Sequence, residues 1–198
     1  TCALPIYAGT IVNLPELPGD VCRISYGTGL NAAGSVVGYS AAPGSCGVNR
    51  PVVYPASGGA FDLGTLGGVN GQAQAINTFG DIVGVSELST GQNRATLWTA
   101  SGPQDLGTLG GASFAMSIND EGIACGYFID SRNQQRACVW IGGQLFDLNA
   151  LMGASGTGWR LLIASGINAQ GQIVGQGRNP AGRSEEHTSE LQSPCNLV

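Results

Sequence analysis

Asp62–Gly68 reads DLGTLGG, and the same seven residues return at Asp105–Gly111, forty-three positions later. A looser copy, DLNALMG, starts forty-two positions further on at Asp147, and an earlier one, NLPELPG, spans Asn13–Gly19. Recurrence at near-constant spacing marks a repeat architecture and decides the fold before any single residue does. A second block follows each copy: LNAAGSVVG from Leu30, INTFGDIVG from Ile76, INDEGIACG from Ile118 and INAQGQIVG from Ile167. A third block reads RPVVY from Arg50, RATLW from Arg94 and RACVW from Arg136.

Each N-x-x-G reads as a turn. The asparagine (Asn31, Asn77, Asn119, Asn168) caps it through a side-chain-to-backbone bond, and the glycine (Gly34, Gly80, Gly122, Gly171) takes the left-handed conformation. In the second unit the flanking strands are expected near Gln72–Ile76 and Asp81–Glu87, a third at Arg94–Thr99 and a fourth at Gln104–Leu109. Helical periodicity is absent. Four short strands in about forty-two residues match one β-propeller blade, so the expected fold is all-β: a partial propeller of about three and a half four-stranded blades. The alternative is a β-sheet solenoid of the same units.

These blocks resemble the HAF-type extracellular repeat family of bacteria, whose repeats combine H-A-F-L-W, D-L-G-T-L-G-G and I-N-x-x-G-x-I-V-G. The resemblance covers nearly all of 7–182. It departs at the first of those motifs, where Arg50, Arg94 and Arg136 stand in place of histidine and Val52, Thr96 and Cys138 in place of phenylalanine. Leu148–Gly175 resembles the last repeat of such proteins, with Gly158-Trp159 inserted before the final turn. The resemblance implies secretion and an extracellular or cell-surface location, and by itself implies no activity.

The two ends read differently. RSEEHT at Arg183–Thr188 can be encoded AGATCGGAAGAGCACACG, and the reverse complement of that string, extended by one base, encodes TCALPI, the first six residues. Residues 1–6 and 183–198 are therefore expected to be translated library adapter, the latter segment disordered. The repeat domain is then 7–182, in units of about 7–61, 62–104, 105–146 and a truncated 147–182. The only histidine, His187, falls in the tail.

Within 7–182 there are seven arginines, ten carboxylates and no lysine, a net charge of −3, which argues against nucleic acid as a partner. No apolar run reaches the length of a membrane-spanning helix. Four cysteines remain, Cys22, Cys46, Cys125 and Cys138. Their even number is compatible with two disulfides in an oxidising compartment, the sequence-local pairing being Cys22–Cys46 and Cys125–Cys138. Four free buried thiols and the other pairings stay open.

No catalytic residue, cofactor or metal site is expected. Asp62, Asp105 and Asp147 recur once per unit, as a turn acceptor does and a catalytic pair does not. DLGTLGG lacks the G-K-[ST] ending of a phosphate loop. Arg94 and Arg136 are candidate ligand-binding residues for acidic sugars, with pairing to the recurrent aspartates between units as the competing role. Tyr54, Trp98 and Trp140 occupy one repeated place and read as core, whereas Trp159 lies outside the pattern and is the candidate exposed aromatic, a third ligand-binding candidate beside Arg94 and Arg136. The expected function is a secreted or surface-exposed scaffold that binds a glycan or protein through its loops. The alternatives are a passive adhesive repeat and a non-catalytic fragment of a propeller enzyme acting on polysaccharide. The adapter-trimmed gene should continue past Gly182 without the RSEEHT codons; an open frame carrying them intact removes the adapter assignment.

Overall fold

The computed structural model describes residues 6–7, 10–181 and 184–185. It is all-β. β1 (Ile6–Tyr7) and β2 (Thr10–Ile11) form a hairpin. The first four-stranded sheet is β3 (Ser25–Leu30), β4 (Val36–Ala42), β5 (Ser45–Tyr54) and β6 (Phe61–Asp62). The second is β7 (Gly67–Ile76), β8 (Ile82–Leu88), β9 (Asn93–Thr99) and β10 (Gly102–Asp105); the third is β11 (Ser113–Ile118), β12 (Ala124–Ile129), β13 (Gln135–Ile141) and β14 (Gln144–Asp147). The fourth holds β15 (Arg160–Ile167), β16 (Ile173–Arg178) and β17 (Ser184–Glu185). Every sheet is an antiparallel meander in chain order, and the first strand of each later sheet packs across three strands of the sheet before it in the first three junctions.

The strands are displaced from expectation at both margins. The first strand of the second sheet begins at Gly67 rather than Gln72, and its last strand ends at Asp105 rather than Leu109. DLG thus closes one sheet, and TLGG carries the chain across to the next. Asn13–Gly19 has the same place before the first sheet. Leu17 N–H donates to Ser40 Oγ (3.5 Å) as Leu66 N–H does to Ser86 Oγ (3.0 Å), and Ser25 Oγ donates to Pro15 O as Ser113 Oγ does to Gly107 O.

The copy at Asp147 departs from the all-strand pattern by making one helical turn, α1 (Leu148–Leu151), capped by Asp147, with a 3-10 turn at Ala154–Gly156 beyond it. The cause is local. Gly64 and Gly107 turn the chain at φ of +77° and +79°, but Asn149 stands at that place and the chain coils right-handed instead. Of the segments expected to be adapter, Ile6, Ser184 and Glu185 are described and the remainder lies outside the described residues. Ser184–Glu185 is a strand and not a disordered tail; it pairs with the open backbone edge of β16.

One feature of the I-V-G ending escaped the sequence reading. In every sheet the first strand bulges by one residue, at Thr28, Gln74, Met116 and Ser165. The kink drives its backbone toward the second strand opposite Gly38, Gly84, Gly126 and Gly175. A Cβ there would collide with the carbonyl oxygen of Tyr26, Gln72, Phe114 or Ile163, respectively. Those glycines are required by close approach, since their φ is ordinary.

The core lies between sheets. Val37 meets Ala73, Ile82 and Trp98; Val83 and Ala95 meet Ala115, Ile118 and Trp140; Cys125 and Val139 meet Leu161, Ala164 and Ile173. Leu14 and Leu17 cover Val36, Val52 and Tyr54 on the first sheet. Cys22–Cys46 is a disulfide with a sequence separation of 24, a loop closure worth about 3 kcal/mol. It ties the segment before the first sheet to the long β4–β5 hairpin.

The second expected bridge is corrected: Cys125 and Cys138 are free and buried. Cys125 pairs in register with Val139, and Cys138 with Gly126, so the two thiols are one residue out of step and face opposite sides of their sheet. One joins the cluster toward the fourth sheet and the other the cluster toward the second. Burial raises both pKa values, that of Cys125 to about 12, so both stay as inert thiols at neutral pH. Replacing Gly126 with Ala should cost about 2–4 kcal/mol, because the obstacle is backbone and cannot yield as a side chain would; urea unfolding should show it, and an unchanged midpoint would remove the close-approach requirement.

Candidate functional site

The repeated polar residues are engaged in holding the units together. Asn77 Oδ1 accepts from Phe79 N (3.0 Å) and Asp81 N (2.9 Å), and Asn119 Oδ1 from Glu121 N (3.1 Å) and Ile123 N (3.0 Å). Asn168 does the same for Gln170 and Gln172, and Asn31 for Ser35. Gly34, Gly80, Gly122 and Gly171 complete the turns at positive φ. The amide nitrogens do something the sequence did not reveal. Asn31 Nδ2 donates to Asn77 O (3.1 Å), Asn77 Nδ2 to Asn119 O (3.3 Å) and Asn119 Nδ2 to Asn168 O (3.2 Å). The four turns are thereby joined in a ladder, each side chain capping its own turn and reaching the next sheet.

The aspartates of DLG face the opposite end of the sheets. Asp62, Asp105 and Asp147 each accept a backbone N–H two residues on, from Gly64 (2.8 Å), Gly107 (2.7 Å) and Asn149 (2.9 Å). Each also pairs with the arginine of the adjacent strand: Arg50 at 2.8 Å, Arg94 at 3.8 Å and Arg136 at 2.6 Å. These pairs join the third and fourth strands of one sheet, linking each sequence unit to the aspartate that opens the next, because Val52, Thr96 and Cys138, each two residues after its arginine, are in register with the aspartate. Partial exposure limits each to a few tenths to 1 kcal/mol. Arg50 and Arg94 then reach forward, to Val69 O (3.3 Å) and Gly111 O (3.0 Å) on the next sheet.

Arg94 and Arg136, singled out from the sequence as ligand-binding candidates, are thus committed to internal partners. Arg94 also holds Gln92 Oε1 (2.9 Å), and Arg136 Nε lies 2.7 Å from Asp147 Oδ2. Trp98 and Trp140 are buried, as is Tyr54. Trp98 Nε1 donates to Gly64 O (2.9 Å), fastening the DLG turn over the core. Trp159 is half-buried beside the 3-10 turn, with its backbone N–H donating to Gly156 O (3.0 Å), which corrects its reading as an exposed aromatic.

Variation is left to the β4–β5, β8–β9 and β12–β13 hairpin tips, which share the end of the sheets where the chain crosses between them. The tip Asp130–Gln134 is the most charged. Asp130 Oδ1 accepts from Arg132 N (2.9 Å) and Gln134 N (2.9 Å), and Asn133 is left-handed at φ 58°. Those backbone bonds, with the charges of Arg136 and Arg160, hold the Asp130 carboxyl below its usual range. Arg160 bonds Gln134 Oε1 and stands in register with Arg178. Arg132 and Arg178 are exposed. This proximity was invisible in sequence, since Arg136, Arg160 and Arg178 lie on three strands of two sheets, Arg132 lies in a hairpin tip, and no one motif holds them.

The ladder can be separated from the caps. Asn119→Asp keeps the acceptor oxygen and loses the donor, placing a buried carboxylate against Asn168 O; a loss of about 2–4 kcal/mol is expected. Asn168→Asp makes the same change where the amide meets only its own Gln172 (2.7 Å) and should cost under about 1 kcal/mol. Equal losses in urea unfolding would mean that the inter-sheet bonds contribute nothing. No family model, curated protein or solved structure matches the chain.

Proposed function

We propose that this chain is part of a secreted or surface-exposed, propeller-like scaffold of the HAF-repeat type that binds a glycan or protein through its variable hairpin tips. The observation that carries the reading is the division of labour between positions. Asparagines, aspartates, repeated arginines and aromatics are consumed in joining units, while the tips differ from sheet to sheet. Meander sheets of four strands, each packed on the one before, favour blades of a propeller arc over a solenoid. The Cys22–Cys46 disulfide fits an oxidising compartment.

The arginines at the Asp130–Gln134 tip favour an acidic ligand, because guanidinium groups fork onto carboxylate or sulfate oxygens. The full chain on an array of neutral, carboxylated and sulfated glycans should retain an acidic class. Retention should weaken with salt and with the pair Arg132→Ala and Arg178→Ala, two exposed side chains outside the repeated bonds. Retention of neutral glycans unaffected by the pair would place the site elsewhere. No retention of any glycan, with none of any protein on a companion array, would favour a passive structural repeat.

A further inference from the structure

We infer that Tyr26 and Phe114 are stacking platforms for the pyranose rings of an acidic polysaccharide, which rests on the glycan reading above and names the part of the ligand that is gripped. Tyr26 stands in register with Tyr39 across β3 and β4, and Phe114 with Tyr127 across β11 and β12. Both pairs are stacked, with ring centroids 4.7 Å apart and interplanar angles of 25° and 15°. They hold one repeated place, at the end of the sheets that carries the hairpin tips. The same place holds Gln72 and Val85 in the second sheet and Ile163 and Gln176 in the fourth. The repeat thus folds without aromatics there, and none of the four rings joins the apolar clusters between the described sheets.

The crossing of the sheets leaves these rings open. Residues in register share a face, so Tyr26, Tyr39 and Pro51 form a row toward the second sheet, and Phe114, Tyr127 and Ala137 a row toward the fourth. β7 crosses the first sheet obliquely. At the tip end it lies over β5, where a Cβ on Gly71 would touch Pro51, and at the other end over β3, where a Cβ on Gly29 would touch Ala75. Exposure therefore rises along the row, from fully buried Pro51 through half-buried Tyr39 to Tyr26 at 38%. In the third sheet Ala137 is buried with Leu161, whereas Tyr127 and Phe114 are half-buried. Both openings lie at junctions inside the chain, with a sheet on either side.

Tyr39 has Pro51 beyond it in its row, so the open end of the stack is Tyr26, and Phe114 has that place in the third sheet. The face of an aromatic ring is negative and the C–H bonds of a pyranose are slightly positive, so a sugar extends the stack by one ring. No hydrogen bond among the described residues engages the hydroxyls of Tyr26, Tyr39 or Tyr127. Burial raises the Tyr39 and Tyr127 pKa values, with Tyr26 adding to the shift at Tyr39, so these hydroxyls stay donors for a sugar. Asp130, which opens the arginine-bearing tip, follows Tyr127 by three residues, so ring and charge contacts share one end of the sheet. Two platforms with one sheet between them suit a polymer, whose rings recur, over a free sugar.

The probes are oligogalacturonates and sulfated galactan oligomers, pyranose chains bearing carboxylates and sulfates, titrated into the full chain by calorimetry. Tyr26→Gln copies the second sheet and Phe114→Ile the fourth, so each introduces a residue the repeat already accepts at that place. Each alone should weaken binding about fivefold to tenfold, and both together about fiftyfold or more. Tyr26→Phe keeps the ring and should lose less than Tyr26→Gln. These losses should persist at high salt, unlike the loss on removing Arg132. Saturation-transfer NMR on the unmodified chain gives a check independent of the variants' folding: transfer should be strongest at the C–H protons of one sugar face. A double variant with native circular dichroism that binds as well as the unmodified chain overturns the inference and leaves the glycan reading standing. Uniform transfer, or a Tyr26→Phe loss as large as that of Tyr26→Gln, does the same. Binding of neither probe also overturns it; retention of another glycan on the array would then preserve the wider reading, and retention of none would remove both.

Discussion

Three hydrogen bonds between asparagine side chains and asparagine carbonyls hold the described sheets in sequence. An amide side chain is suited to this position because it has acceptor and donor on one planar head. The oxygen stays home to cap its turn, and the nitrogen is left to find a partner away from water. Asn77 and Asn119 are buried, so an unfilled amide would carry its full desolvation cost. The spacing of successive sheets is therefore dictated by the reach of a two-carbon side chain. Serine would be too short to do both tasks, and aspartate has no donor.

The rest of the unit is arranged around that constraint. At the far end of the sheets DLG repeats the same economy with different groups. Its aspartate caps a turn and holds an arginine, which in two units then extends to the next sheet's backbone. Between the two polar ends lie the apolar contacts, and they are narrow. Ala73, Ala115 and Ala164 sit where the first strand presses against the sheet before it, with Val37, Val83 or Cys125 opposite. Small side chains and the first-strand bulge bring the layers together, and the invariant glycine of I-V-G makes room for the bulge. A unit alone would present these faces to water, so its stability depends on its neighbours.

That dependence bears on function. Residues bound by the repeat cannot vary without loosening a junction, and the hairpin tips can. Arg94 and Arg136 illustrate the distinction: a motif position that looked suited to ligand turned out to be structural, while Arg132 and Arg178, in no motif, are exposed. A disulfide ties the β4–β5 hairpin to the segment before the first sheet, and the charged tip of the third sheet is ordered by the Asp130 carboxylate, so these loops are presented on a firm support.

The sequence by itself determined the repeat, its period, the strand class, the N-x-x-G turns and the structural role of the recurrent aspartates, because each rests on local spacing and on backbone chemistry that acts within a few residues. Pairing of Cys22 with Cys46 was among the readings it allowed. Only the tertiary structure decided that Cys125 and Cys138 face opposite sides of one sheet, that Arg–Asp pairs form within a sheet, that Trp159 is half-buried and that four arginines converge. Each of these depends on strand register or on which sheet covers which face. A shift of one residue reverses a side chain's direction in a strand, and a linear string carries no direct record of that alignment.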